Sequence, residues 1–266
     1  MGARKRARAI QMELKAAAST MDRLYNQALG KMEQTLRILE GRVPPPQRVP
    51  FKDSFVYRYV EKTLLQAVVQ KLARLVSGLH AARLLMEHGF VQEQAALQRM
   101  LDDIEEDITF LTFSVIFNSP TPLHQKYLDE FYQEEFDAKT GKASTQKRQM
   151  IKREKIRAYI ARTDRDPSRA IDVSRIINKA YSGFVHAASP HIMDMYGGNP
   201  PHFHTRGMAG TRQQRACRKD LWNYFYRSLI AFVSSAAAFG DEELYEQLNE
   251  FTQEFARQSG EDFSTP

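Results

Sequence analysis

Four side chains that could handle a phosphate group recur at helical spacing in the second half of the chain. They are Arg175, Lys179, Ser182 and His186. An α-helix turns by about 100° per residue, so spacings of four, three and four place them within roughly 60° of one another. Arginine and lysine attract phosphate oxygens, and an imidazole gains or loses a proton near neutral pH. The spacing therefore predicts a polar stripe suited to acid–base chemistry on a phosphate ester.

The opposite side of the same predicted helix is apolar. Its residues are Val173, Ile177, Ala180, Phe184 and Ala187. We expect this side to be buried, because an amphipathic helix packs its apolar face on the rest of the protein. The same pattern also fits a second interpretation, in which the stripe is only a solvated face and His186 bonds to a neighbouring helix.

A second cationic set precedes the stripe, in a segment that we predict as a basic helix over residues 146–162. Its members are Arg148, Lys152, Lys155, Tyr159 and Arg162. Such a helix face could follow a nucleic-acid backbone through counterion release, with the tyrosine stacked on an unpaired base. The alternative is a solvated charge run, or one paired with the acidic residues between Asp129 and Asp137.

Metal and nucleotide chemistry have weaker support. The acidic run 102–107 lacks the Glu-x-x-His pattern of di-metal bundles, so we predict a solvent-facing side with Ile104 and Ile108 buried. His202 and His204 form one short pair that could chelate a divalent ion. No Walker motif, nucleophile elbow or dinucleotide fingerprint is present, which excludes the commonest nucleotide-dependent enzymes. We therefore predict no metal and no cofactor.

Composition places the chain among globular proteins. Its 266 residues are 42% hydrophobic, enough to form a substantial core, and a formal charge of +6 is compatible with a polyanionic partner. The single cysteine, Cys217, excludes an internal disulfide framework and fits a reducing compartment. Asn223 and Arg227 interrupt the longest apolar run, at 221–239. We expect a cytoplasmic protein without membrane contact.

Helical periodicity dominates the sequence and predicts an all-α helical bundle in one domain over residues 1–266. An N-terminal helix and proline-rich break are expected up to residue 49, a helical core over 50–240, and a C-terminal helix with a frayed tail over 241–266. The scaffold should be a long antiparallel hairpin, because two apolar seams meet at a short joint around Gly89. The expected helices are 7–39, 54–88, one through the seam from Leu97 to Val115, 123–136, 146–162, one starting at 166–168, 211–239 and 241–258.

Two segments carry a resemblance to a known group of proteins. One is Ala82-Arg83-x-Leu85-x-Glu87 with the helix after it, and the other is Tyr181-x-x-x-x-His186. Together they resemble a prokaryotic family of helical proteins with a domain of unknown function, which is similar to the HEPN superfamily of toxin and antiphage-defence domains. The resemblance covers the predicted core.

This resemblance implies RNA binding and metal-independent RNA cleavage by an antiphage-defence or toxin effector. Active HEPN ribonucleases carry an arginine, then four to six intervening residues, then a histidine. Here Lys179 stands at that spacing from His186, and Arg175 lies further along the stripe. The resemblance implies that His186 is the acid–base group, that Lys179 and Arg175 hold the phosphate, and that Ser182 and Tyr181 orient the site. HEPN-type sites often form between two copies, so the resemblance is compatible with a homodimer or another protein partner. The alternative function is a non-catalytic scaffold or partner-binding module.

Overall fold

The structure, a computed structural model, describes the backbone of residues 2–144 and 151–260 and the side chains of those ranges from Thr20 onward. These residues are mostly helical. The helices are α1 (Gly2–Glu40), α2 (Leu64–Glu87), α3 (Val91–Ile116), α4 (Pro122–Phe131), α5 (Arg153–Ile160), α6 (Pro167–Val185), α7 (Ser189–Met193), α8 (Arg212–Ala238) and α9 (Glu242–Ser259). A 3-10 turn at Ala161–Thr163 follows α5.

Two short antiparallel strand pairs depart from the all-α prediction. Strand β1 (Gln47–Phe51) pairs with β2 (Ser54–Arg58), and β3 (Tyr196–Gly197) pairs with β4 (His202–Phe203). The predicted helix over 54–88 is therefore wrong in its first ten residues. Valine, phenylalanine and tyrosine suit a pleated ladder. The helix begins only after Thr63, which forms a capping box with Gln66.

Several predicted helix ends are confirmed by local chemistry. Asp166 caps α6 by accepting a hydrogen bond from the Arg169 backbone N–H, and proline occupies the first turn. The chain leaves α2 through Gly89, whose φ of +77° suits glycine.

Helix α4 stops five residues earlier than expected. The basic helix is confirmed only over Arg153–Ile160, and residues 146–150 of that prediction lie outside the described residues.

Helices α2 and α3 form a close pair at the centre of the protein. Gly78 lies so near α3 that a Cβ atom there would stand 2.5 Å from Leu101 Cδ2. Further along, the Lys71 ammonium lies 2.6 Å from the Asp107 carboxylate. A small residue thus permits the close approach, and an ion pair links the same two helices.

One hydrophobic cluster joins residues from Leu24 in α1 to Ala256 in α9. Its largest fully buried rings are Phe110, Phe225, Phe232 and Phe255. Helix α6 contributes no fully buried residue, although it lies against α3, α5 and the 3-10 turn. It is therefore a peripheral helix, held on the outside of a core formed by the others.

The acidic run 102–107 is buried, so the prediction of a solvent-facing side was wrong. Asp102 and Glu105 are each 4% exposed, and Asp107 is 2% exposed. Ile108 is buried as expected, which means that α3 is enclosed on its polar side as well. Burying charges is costly unless they are paired, and the pairs come from distant segments of the chain.

Candidate functional site

Helix α6 packs with a different face from the one expected. The side chains turned toward the protein include Ser174, Asn178 and Tyr181, which are partly buried. The predicted apolar face is mostly outside: Val173 is 47% exposed and Ile177 is 37% exposed. The inner face finds a polar partner on α8, because the Tyr181 hydroxyl donates to Asp220 at 3.2 Å.

Because α6 packs with this different face, the stripe lies on the flank of the helix, beside α5. A groove of about 290 Å³ runs between the two helices. Its lining residues are Glu154, Arg157, Ile171, Arg175, Asn178, Lys179 and Ser182. Three of the four stripe residues therefore share one groove with Arg157, a residue that the sequence did not single out.

Arg157 is the most enclosed cation of this groove, with 8% of its surface exposed. Its Nε donates to the Glu106 carboxylate at 2.7 Å, which fixes the guanidinium. Its Nη2 is buried without a hydrogen-bond partner among the described residues, and so is Nδ2 of Asn178. Two residues that line the groove thus each carry a buried N–H donor without a partner, and a bound acceptor could satisfy such donors.

The other predicted catalytic residues lie differently. Arg175 is exposed, and its Nη1 lies 2.9 Å from the Asp172 carboxylate. Tyr181 faces α8, where burial raises the pKa of its hydroxyl above the ordinary value. His186 is exposed at the C-terminal end of α6 and is not among the residues that line the groove. The structure therefore gathers Arg175, Lys179 and Ser182, but not Tyr181 or His186.

The predicted nucleic-acid-binding set is divided between the surface and the core. Lys152, Lys155 and Arg162 are exposed. Tyr159 is only 7% exposed, and its hydroxyl donates to the Ser119 carbonyl oxygen at 3.0 Å. The prediction that this ring stacks on a base is therefore wrong for the folded chain, since the ring anchors α5 to the core. Arg148 lies outside the described residues.

A buried polar cluster on α3 links α3 to α8. The Arg227 guanidinium lies 2.7 Å from Asp102 and 2.8 Å from Glu105. The Tyr224 and Ser228 hydroxyls donate to the same two carboxylates. Burial nevertheless raises the pKa of Glu105 to about 7. Arg227 opposes that rise by stabilising the ionised form.

The same acidic run also holds α5 against α3. Arg153 Nη1 lies 2.5 Å from Asp107, and Arg157 Nε lies 2.7 Å from Glu106. The two arginines are four residues apart, so they lie on one face of α5, which is the face turned toward the acidic run. The consequence for the site is direct, because these ion pairs set the position of Arg157.

Metal and thiol chemistry gain little from the geometry. Among the described residues, no group of three or more His, Cys, Asp or Glu side chains could hold a metal ion. The rings of His202 and His204 lie 4.5 Å apart, and His202 Nδ1 is 3.0 Å from the Pro200 carbonyl oxygen. Burial raises the pKa of the Cys217 thiol to about 11, and nearby aspartates add to the rise. This thiol is therefore protonated at neutral pH.

The chain matches no protein-family model, no curated protein and no solved structure. Within the part of the chain that the structure describes, no helix has an apolar stretch long enough to cross a bilayer. The geometry of the site is thus the main guide to function.

Proposed function

We propose that the protein is HEPN-like and binds RNA through the surface shared by α5 and α6. The main support is that the two cationic sets predicted separately belong to helices in contact with each other. Lys152, Lys155 and Arg162 are exposed on the α5 side, while Arg175 and Lys179 are exposed on the α6 side. Exposed cations on two helices in contact attract a phosphate backbone by releasing its counterions.

The scaffold of this proposal is an antiparallel hairpin of α2 and α3. Two contacts support it, since Lys71 meets Asp107 while Gly78, further along α2, meets the earlier residue Leu101. The contact pairs run in opposite directions along the two helices. The turn at Gly89 is short enough to join them directly. HEPN membership itself rests on the sequence resemblance.

RNA cleavage without metal is the catalytic part of the proposal. His186 would act as the acid–base group, with Lys179 and Arg175 on the phosphate and with Ser182 and Tyr181 orienting the site. Exposure of the His186 ring suits contact with a large substrate. Lysine attracts phosphate as a point charge but lacks the bidentate geometry of arginine. Binding is therefore the better supported part, and an antiphage-defence or toxin role depends on cleavage.

The decisive experiment measures binding and cleavage of labelled single-stranded RNA and transfer RNA by the purified protein. It is run without metal and with magnesium, beside His186→Ala and Lys179→Ala. Binding that weakens as salt rises supports the proposal. Metal-independent cleavage that both variants lose supports the catalytic part. Folded wild-type protein that binds neither RNA at low salt contradicts the proposal.

A non-catalytic scaffold or partner-binding module is the second candidate. It is favoured by the apolar side chains that α6 exposes on one face, since Val173 is 47% exposed, Ile176 is 68% exposed and Ile177 is 37% exposed. Apolar side chains grouped on one helix face are typical of protein interfaces. On this hypothesis the surface binds a second copy of the chain, which would leave the α5–α6 groove on the flank of the interface.

A further inference from the structure

We propose that the groove between α5 and α6 binds a single phosphate group, held by Arg157 and Asn178 at its base and by Lys179 at its edge. The inference deepens the proposed function and rests on it for the source of the phosphate, which is RNA. Free phosphate has the same chemistry and is the simplest probe of the site.

The two buried donors carry the argument. Arg157 and Asn178 come from different helices and line the same groove, and the Arg157 Nη2 and Asn178 Nδ2 atoms are buried without hydrogen-bond partners among the described residues. A buried donor without a partner costs about 1–3 kcal/mol, and a charged donor costs more. A phosphate group offers several acceptor oxygens, so one ligand could satisfy both donors. Two unpaired donors on facing helices are therefore a more specific indication of a ligand site than a run of solvated charges is.

Arg157 is also fixed in place before any ligand arrives. Its Nε is engaged by Glu106, and α5 is held on α3 by the neighbouring ion pair of Arg153 with Asp107. A donor that is already oriented loses little conformational entropy on binding. The Glu106 contact therefore positions Arg157 and leaves Nη2 for the ligand.

Charge further selects an anion as the ligand. The groove is lined by three cations, Arg157, Arg175 and Lys179, and by one carboxylate, Glu154. The Ser182 hydroxyl adds a donor on the same side. A phosphate oxyanion is attracted by this balance, while a neutral or cationic ligand is not. Glu154 is the one carboxylate among the lining residues, and it lies exposed on α5. The carboxylates of Glu106 and Asp172 are paired with Arg157 and Arg175.

The test is a calorimetric titration of the folded protein with inorganic phosphate. Asn178→Asp exchanges a donor for a like-charged carboxylate with little change in size, and it should weaken binding by about tenfold or more. Glu154→Gln should tighten binding several-fold, because it removes the repulsive charge. Arg169→Gln is the matched control, since it removes a cation of α6 that does not line the groove. Thermal unfolding of each variant verifies the fold.

Two results would overturn the site: no phosphate binding by the wild-type protein, or equal affinity for phosphate in wild type, Asn178→Asp and Glu154→Gln. Measuring RNA binding by the same proteins separates this inference from the proposed function. RNA binding that is unaffected by Asn178→Asp leaves the proposed function standing and contradicts RNA as the ligand of this site. Phosphate binding without RNA binding keeps the anion site and contradicts RNA as its source.

Discussion

The Arg227 guanidinium of α8 contacts two buried carboxylates of α3 at once, with Nη1 2.7 Å from Asp102 and Nη2 2.8 Å from Glu105. The next residue of α3, Glu106, binds Arg157 of the α5–α6 groove. One acidic segment therefore joins the core to the candidate site. Its ionisation and pairing should affect both stability and the position of Arg157.

Arg227→Gln should lower the free energy of unfolding by about 3 kcal/mol, because it leaves Asp102 and Glu105 buried without their cation. This value is at the lower end of the destabilisation that usually follows when a buried ion pair loses one partner. The Arg227 side chain is 37% exposed, so water can partly replace it. Urea denaturation followed by circular dichroism measures the change.

Arg257→Gln serves as the matched control for that experiment. Arg257 pairs with Glu254 three residues earlier on α9, and its side chain is 73% exposed. Exposed pairs of this kind contribute little to stability. A loss of stability no larger in Arg227→Gln than in Arg257→Gln would contradict a structural role for the buried cluster.

Stability should fall as pH rises from about 4.5 to 7, because burial raises the pKa of Glu105 from 4.5 to about 7. In that window the folded chain binds this proton more readily than the unfolded chain does. The free energy of unfolding therefore decreases with pH, by at most about 1.4 kcal/mol per pH unit for one group. Burial also raises the pKa of Asp102, which adds in the same direction.

Glu105→Gln removes one of these titrations and should flatten the pH dependence. Urea unfolding at several pH values across the window compares the slope for the variant with that for the wild-type protein. Glutamine can still accept a hydrogen bond from Ser228, so the local contact is preserved. Equal slopes in the two proteins would show that Glu105 is not the group that titrates.

Helix positions were largely predictable from the sequence, since caps and breakers are local signals. Helices α8 and α9 lie within a residue of their predicted bounds at both ends. The predicted start of the second helix was wrong because the spacing of apolar residues over 54–60 fits a helix and an exposed strand equally well. Only the capping box at Thr63 marks the true beginning.

The stripe residues of the candidate site were predictable from the sequence, but Arg157 was not. The spacing of Arg175, Lys179 and Ser182 was enough to place them on one side of a helix. Periodicity treats charged residues as solvent-facing, so it could not identify Arg157 as buried. That burial depends on Glu106, which lies fifty-one residues earlier in the chain. Long-range polar pairing is not visible in a local pattern.

Neutralising the exposed cations beside the groove should weaken RNA binding uniformly across sequences. Replacing Lys152, Lys155 and Arg162 by glutamine should lower the affinity by about tenfold or more at low salt. It should also reduce the salt slope for single-stranded RNA by about two, at roughly 0.7 per lost contact. Fluorescence anisotropy at several salt concentrations measures both quantities.

A matched triple variant on α1 provides the comparison for this prediction. Arg23, Lys31 and Arg37 also carry positive charge, but α1 packs on α2, α8 and α9. The α1 variant has the same net charge as the α5 variant. Equal losses of affinity in the two would indicate attraction by overall charge, with no preferred surface.

The exposed apolar face of α6 leads to a last prediction about assembly. If a second copy covers this face, Ile176→Asp should weaken dimer formation by about tenfold or more, since it would bury a charge in the interface. The fold should be unaffected because Ile176 is 68% exposed. Light scattering after size-exclusion chromatography at several concentrations measures the mass.

Val60→Asp is the control, as Val60 is 50% exposed and lies beyond β2. A wild-type protein that remains monomeric at all concentrations would contradict a dimer through α6. The α5–α6 groove would then have to function within a single chain.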